Sequence, residues 1–186
     1  GSVREALLLL QRTQLIEIYP RRGAIVSEMS TQQVRALFDT SALLLGQIVQ
    51  RMAEVWRAHE ADNIQQLLNQ LHDETRQGHT EKFYDLIFQG LTRQHDLISN
   101  SYLMKFYHDL LPALRRSYFL TLNISRRELD ESFALFKLVT DAILNRKAQQ
   151  ATLFMDDFCR HLRNLVLESL TRMKQIELAW ARRSRR

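Results

Sequence analysis

This sequence predicts an all-α fold: an antiparallel bundle of about six helices, preceded by one short helix and a β-hairpin. Three observations lead there. Five glycines and two prolines in 186 residues are few, which favours long helices over a many-turned sheet protein. After Ser30, apolar residues recur at three- and four-residue spacing almost to the end. Before Ser30 the pattern changes, and β-branched runs at 15–19 and 24–26 flank Pro20-Arg21-Arg22-Gly23.

Val3, Ala6, Leu7 and Leu10 share one face of a helix running to Arg12, with Ser2 placed to cap it. In the hairpin Pro20 presets φ, and Gly23 tolerates the positive φ that a tight turn needs. Two strands alone are marginal in water, so the hairpin is expected to lean on the helix before it.

Ser30, with Gln33 in the capping-box position, opens a helix of about seven turns whose stripe is Val34, Leu37, Phe38, Leu44, Ile48, Met52 and Val55. A second helix is expected after Asp62, carrying Ile64, Leu67, Leu68 and Leu71 until Gly78 breaks it. The third starts near Thr80 with Phe83, Tyr84, Ile87 and Leu91. The fourth follows Asn100 with Leu103, Phe106, Tyr107, Leu110 and Leu114, and Pro112 inside it predicts a kink rather than a break. Ser125 and Glu128 form another capping box, before Leu135, Leu138, Val139, Ala142 and Ile143. The last helix runs from Ala148 into the basic end, with Phe154, Phe158, Leu162, Leu165, Leu170 and Met173.

With 45% apolar and 25% charged residues the chain has the make-up of a folded protein and not of a disordered one. The net charge of +5 is concentrated at Arg21 and Arg22 and at Arg182, Arg183, Arg185 and Arg186, which suits a phosphate backbone or a solvated tail. A lone cysteine, Cys159, excludes an internal disulfide and fits a reducing cytoplasm. No apolar run is long enough to cross a membrane, and no signal peptide opens the chain, so a cytoplasmic protein is expected. No phosphate loop, nucleophile elbow or HExxH motif is present, and Cys159 beside Arg160 and His161 is no dyad, because helix neighbours point to different sides. The chain is therefore expected not to be an enzyme.

Val3-Arg4-Glu5-Ala6-Leu7, the Pro20-Arg21-Arg22-Gly23-Ala24-Ile25-Val26 hairpin and the helical body after it resemble the GntR superfamily of bacterial transcription regulators, FadR-like branch. The likeness extends into the body at Ile98-Ser99-Asn100 and Thr140-Asp141-Ala142-Ile143. It implies that residues 1–28 are part of a winged helix-turn-helix that reads operator DNA. Residues 29–186 would then form an FCD-type domain that binds a small effector and dimerises. Arg4 would sit on the recognition helix, and Arg21, Arg22 and Gly23 at the wing tip, glycine letting the phosphate backbone come close.

Many FCD domains also hold a divalent metal through an Asp-x-x-x-His pair on the third helix and a His on each of the fifth and last. The resemblance puts Thr80 and Tyr84, Phe136 and Phe158 at those places. None is a good ligand, so neither a metal nor another cofactor is expected. His161, three residues past Phe158, is the one imidazole close to that face. Two outcomes stay open: aromatic rings fill the centre, or an apolar pocket takes an aromatic or aliphatic acid. Thr80, Tyr84, Arg115, Phe136, Phe158 and His161 are the candidate effector residues. Arg115 would fork onto a carboxylate, unless Arg115-Arg116 only complements the end of its helix. Ser41 and Leu45 replace an Arg and a Glu that the family tends to show on its first FCD helix, and His72, His79, His95 and His108 read as surface residues.

The expected protein is thus a homodimeric repressor with operator DNA and a small effector as partners, and without a membrane partner. A ligand-free helical interaction module is the alternative. Gly1-Ser2 reads as residues added ahead of a natural sequence, so the first two helices of the DNA reader are expected to be missing here. A mobility-shift assay should therefore show no sequence-specific operator binding by these 186 residues and tight binding by the protein with a whole reader.

Overall fold

Ser30, Asn100 and Ser125 each start a helix for the same reason: a short side-chain oxygen accepts a backbone N–H that the first turn leaves without a partner. Ser30 Oγ takes Gln33 N–H at 3.1 Å while Gln33 Oε1 takes Ser30 N–H at 2.9 Å. Ser125 and Glu128 repeat the box at 3.2 and 2.5 Å, and Asn100 Oδ1 takes Leu103 N–H at 3.0 Å. A computed structural model, which describes residues 2–12, 16–20, 23–121 and 123–183, shows what these starts build.

Helix α1 (Ser2–Arg12) leads into strands β1 (Ile16–Tyr19) and β2 (Gly23–Val26). The body follows as α2 (Thr31–Val55), α3 (Ala58–Gln77), α4 (Thr80–Thr92), α5 (His95–Ile98), α6 (Ser101–Phe119), α7 (Arg126–Leu144) and α8 (Ala148–Arg183). The strands pair antiparallel with Ile16 opposite Val26 and Tyr19 opposite Gly23. Gly23 has φ +83°, and an added Cβ would meet nothing within 4 Å, so the turn demands glycine for its backbone and not for space. β1 packs on α1, as two lone strands require. Yet Val3 is 73% exposed, Leu10 is exposed and Leu7 is only half-buried, so the α1 stripe has little to cover it among the described residues.

The core lies between α2, α7 and α8, with α4 and α6 closing it. α2 and α8 run antiparallel in close contact. Gly46 allows this, since a Cβ there would stand 3.2 Å from Thr152 Cγ2, and Thr152 Oγ1 donates to Gly46 O at 3.2 Å. Arg163 to Asp39, at 2.9 Å, ties the same pair further along. Pro112 lies inside α6, which continues past it to Phe119, so the helix is not broken there. Gly78 stops α3 in the left-handed region at φ +74°.

Three features differ from the sequence pattern. α5 is an additional single turn, too short to carry a period of its own. The outward residues of four stripes are exposed: Val55, Phe106, Leu138 and Met173. And α3 begins at Ala58, so Asp62 lies inside it, not at its start. The reason is tertiary. Trp56 Nε1 donates to Ile143 O at 2.8 Å, Arg146 lies 4.5 Å over the Trp56 ring, and Arg146 donates to Glu54 O at 3.2 Å and to Trp56 O at 2.8 Å. These contacts cap α2 and turn the chain at Trp56, letting Glu60 accept the Arg57 N–H and start α3 early.

Arg146→Ala should remove a stacked cation and two carbonyl hydrogen bonds, lowering unfolding free energy by about 1–2 kcal/mol in chemical denaturation. Arg127→Ala, which breaks only an exposed pair with Glu131, should change it by less than about 0.5 kcal/mol.

Candidate effector-binding site

α4 turns Thr80, Tyr84, Ile87 and Phe88 inward, α6 brings Tyr118, α7 brings Ser132 and Phe136, and α8 brings Phe158 and His161. Tyr84 meets Tyr118 at 5.5 Å between ring centroids, and Phe88 stacks on Tyr118 at 5.4 Å with an interplanar angle of 9°. Phe136 meets Phe158 edge-on at 5.4 Å. Tyr84 and Phe158 have 0% of their surface exposed, which leaves no room for a water molecule beside either ring. Of the two outcomes left open by the sequence, this centre is the filled one.

Its polar joint is Ser132. The hydroxyl is 2.9 Å from Glu128 O, 3.0 Å from Tyr84 Oη and 2.9 Å from His161 Nε2. One assignment satisfies all three: Ser132 donates to the carbonyl and accepts from the phenol and from an imidazole N–H. Burial pushes the Tyr84 phenol pKa up, although its bond to Ser132 works the other way. Burial also lowers the His161 pKa, more than the Glu128 carbonyl and the nearby carboxylates raise it, so the ring is neutral at pH 7.

The other candidates lie outside this joint. Thr80 is buried at the start of α4. Of the two readings open for Arg115, the buried fork is not the one seen: it is exposed, because Leu114, Ser117 and Tyr118 take the inward face of α6. It pairs with Asp85 at 3.1 Å and with Glu81 at 3.8 Å, and Tyr118 donates to the same Asp85. Ser41 and Leu45 are buried on α2, with Ser41 Oγ donating to Leu37 O at 2.7 Å. Cys159 is buried in apolar surroundings that push its thiol up to about 12, which makes it inert. His72 is exposed, and His79 pairs with Glu74 at 2.7 Å.

At the other end Arg4 is exposed on α1 and Gly23 on β2. Arg21, Arg22, Arg185 and Arg186, with the side chains of Arg182, Arg183 and His95, lie outside the described residues. Ser27, between hairpin and bundle, accepts Arg116 Nη1 at 2.9 Å, a tie from the linker to the last turns of α6.

The set expected at the family's metal positions is a threonine, a buried phenol and two phenyl rings, which does not fit a divalent metal. No group of three His, Cys, Asp or Glu stands together among the described residues, and none of the described helices is long and apolar enough to cross a membrane. Ser132 escaped the sequence reading. The signal for it was the run Leu129, Ser132, Phe136, Val139, Ile143, whose alternating steps of three and four put a serine on the core face.

The FCD domain family model matches residues 36–164. Among solved structures, E. coli McbR/YncC superposes with a TM-score of 0.79 at 17% identity, covering 89% of this chain and 83% of that one. Streptococcus agalactiae GntR gives 0.58 at 16% identity over 88% and 80% of the two chains. A transcriptional regulator (GntR family member) from Pseudomonas syringae pv. tomato str. DC3000 gives 0.58 at 17% identity over 96% and 72%. At such identities the likeness is one of fold. The comparison with curated proteins finds no match.

His161 should titrate with an NMR midpoint below 6.5. The unfolded chain then binds the proton more readily than the folded one, so stability should fall as pH drops below 6.5. His161→Gln should flatten that slope in urea unfolding at pH 7 and pH 5; an unchanged slope would show that His161 does not couple to folding.

Proposed function

Because the chain belongs to the FCD-domain family and shares its fold with GntR-family regulators, we propose that it is the sensing part of a DNA-binding transcription repressor. The observation that carries this reading is the order of parts: an exposed helix and hairpin, tied by Ser27 to the front of an FCD bundle. Arg4 and the tip residues Arg21, Arg22 and Gly23 are our candidates for contact with operator phosphates and base edges. Residues 1–28 would belong to the DNA reader and residues 29–186 to the effector-binding and dimerising domain. The family and its regulator neighbours support a binding role over an enzymatic one.

In this reading two copies pair through α2 and α6, whose outward residues Leu43, Tyr102 and Phe106 are exposed apolar groups. The helical domain senses a small organic or aromatic acid, and the rings around Tyr84, Phe136 and Phe158 must part before it can reach them. The Arg116–Ser27 tie then relates the position of α6 to that of the hairpin. Such a switch works only if the acid prefers one arrangement of the two heads by a few kcal/mol.

Selecting a genomic DNA library on the protein with a whole reader should enrich a two-fold symmetric site, with affinity falling steeply as salt rises. Failure to enrich any site would overturn the regulator reading. In the same system Arg116→Ala should leave operator affinity within about twofold but weaken its response to the effector.

A further inference from the structure

The centre of the bundle is closed, but its end remote from the hairpin is not. The last turns of α2, the first turn of α3, α5 and the start of α6 surround a groove of about 710 Å³, within the usual size range of small-molecule sites. Its apolar side is Val55, Leu97 and Ile98. Its polar side holds two guanidinia, Arg51 and Arg57, and the His59 imidazole beside a single carboxylate, Glu60. Glu60 is already engaged, accepting the Arg57 N–H as a helix cap and lying 3.7 Å from His59. Arg51 reaches Glu54 at 3.5 Å only across exposed surface, and among the described residues no carboxylate pairs with the Arg57 guanidinium. α6 opens onto the same space. Asn100 satisfies the Leu103 N–H, but the N–H groups of Ser101 and Tyr102 belong to the first turn, where the helix has no acceptor for them.

We propose that this groove is a binding site for a small organic anion, a carboxylate with an apolar body. Its carboxylate lies between the Arg51 and Arg57 guanidinia and the first turn of α6, and its body covers Val55 and Ile98. Two guanidinia supply forked donors for a planar anion, and the apolar side rejects a bare hydrated ion. The site is separate from the aromatic centre, because Phe136, Phe158 and His161 do not line it. It rests on the reading of the helical domain as a sensor of organic acids and gives that domain an open place to bind one.

Benzoate and benzamide, equal in shape and different in charge, are suitable probes on the 186-residue chain. Benzoate should raise Tm saturably and shift the amide NMR signals of Ser101 and Tyr102, while benzamide should do neither. Arg51→Gln and Arg57→Gln, both at exposed positions, should each weaken benzoate about three- to fivefold. Arg127→Gln on α7 should have no effect. Lack of saturable benzoate binding at tens of millimolar would overturn the proposal, as would binding that the Arg51 and Arg57 variants leave unchanged. Running the same chain against aliphatic and other aromatic carboxylates separates this from the sensor reading. If an acid binds with the Arg variants indifferent, the groove alone fails. If no acid binds at all, both fail.

Discussion

Ser132 Oγ has one proton and two lone pairs, and Glu128 O, Tyr84 and His161 claim all three. The joint matters because a buried hydroxyl without partners costs about 1–3 kcal/mol, so α4, α7 and α8 are held at the spacing that satisfies it. That spacing lets Tyr84, Phe88 and Tyr118 stack and Phe136 meet Phe158 edge-on. Aromatic rings packed this way bring both area burial and favourable quadrupole contacts, and any group entering among them must replace both. The same volume therefore cannot also hold a metal or an effector without moving the rings.

The two ends of the bundle are secured differently. At one end Arg146 and Trp56 join the end of α2 to the end of α7 through carbonyl hydrogen bonds and a stacked guanidinium, and the chain reverses there into α3. The groove beside Arg51 and Arg57 lies at this end. At the other end Arg116 reaches Ser27 ahead of α2, and burial lowers the pKa of that guanidinium. α2 spans the distance between them, about 37 Å for 25 residues. In the proposed reading, this helix links an acid in the groove at one end to the hairpin at the other.

Much of the fold was legible because its signals are local. Ser30 with Gln33, Ser125 with Glu128, and Gly78 act within one helical turn, and a one-dimensional pattern contains everything those interactions need. The candidate site was legible only in part. Phe136 and Phe158, found by register with a family pattern, meet in the core and Tyr84 reaches them through Phe88, whereas for Arg115 the sequence left a buried fork and a helix-end charge both open. Whether an arginine on an amphipathic helix points in or out depends on a rotation of a few tens of degrees. Leu114, Ser117 and Tyr118 decide that rotation by packing.

The amino-acid sequence by itself determined the capped helix starts at Ser30, Asn100 and Ser125, the stop at Gly78 and the hairpin with its glycine turn, since each depends on residues a few places apart. Only the tertiary structure decided where α3 begins, that Arg115 faces outward, that a serine joins three helices, and where the open groove lies. Those outcomes rest on partners some 30 to 90 residues distant in sequence, such as Trp56 with Ile143 and Ser132 with His161. Side-chain packing in three dimensions, and not periodicity along the chain, brings such partners within hydrogen-bonding reach.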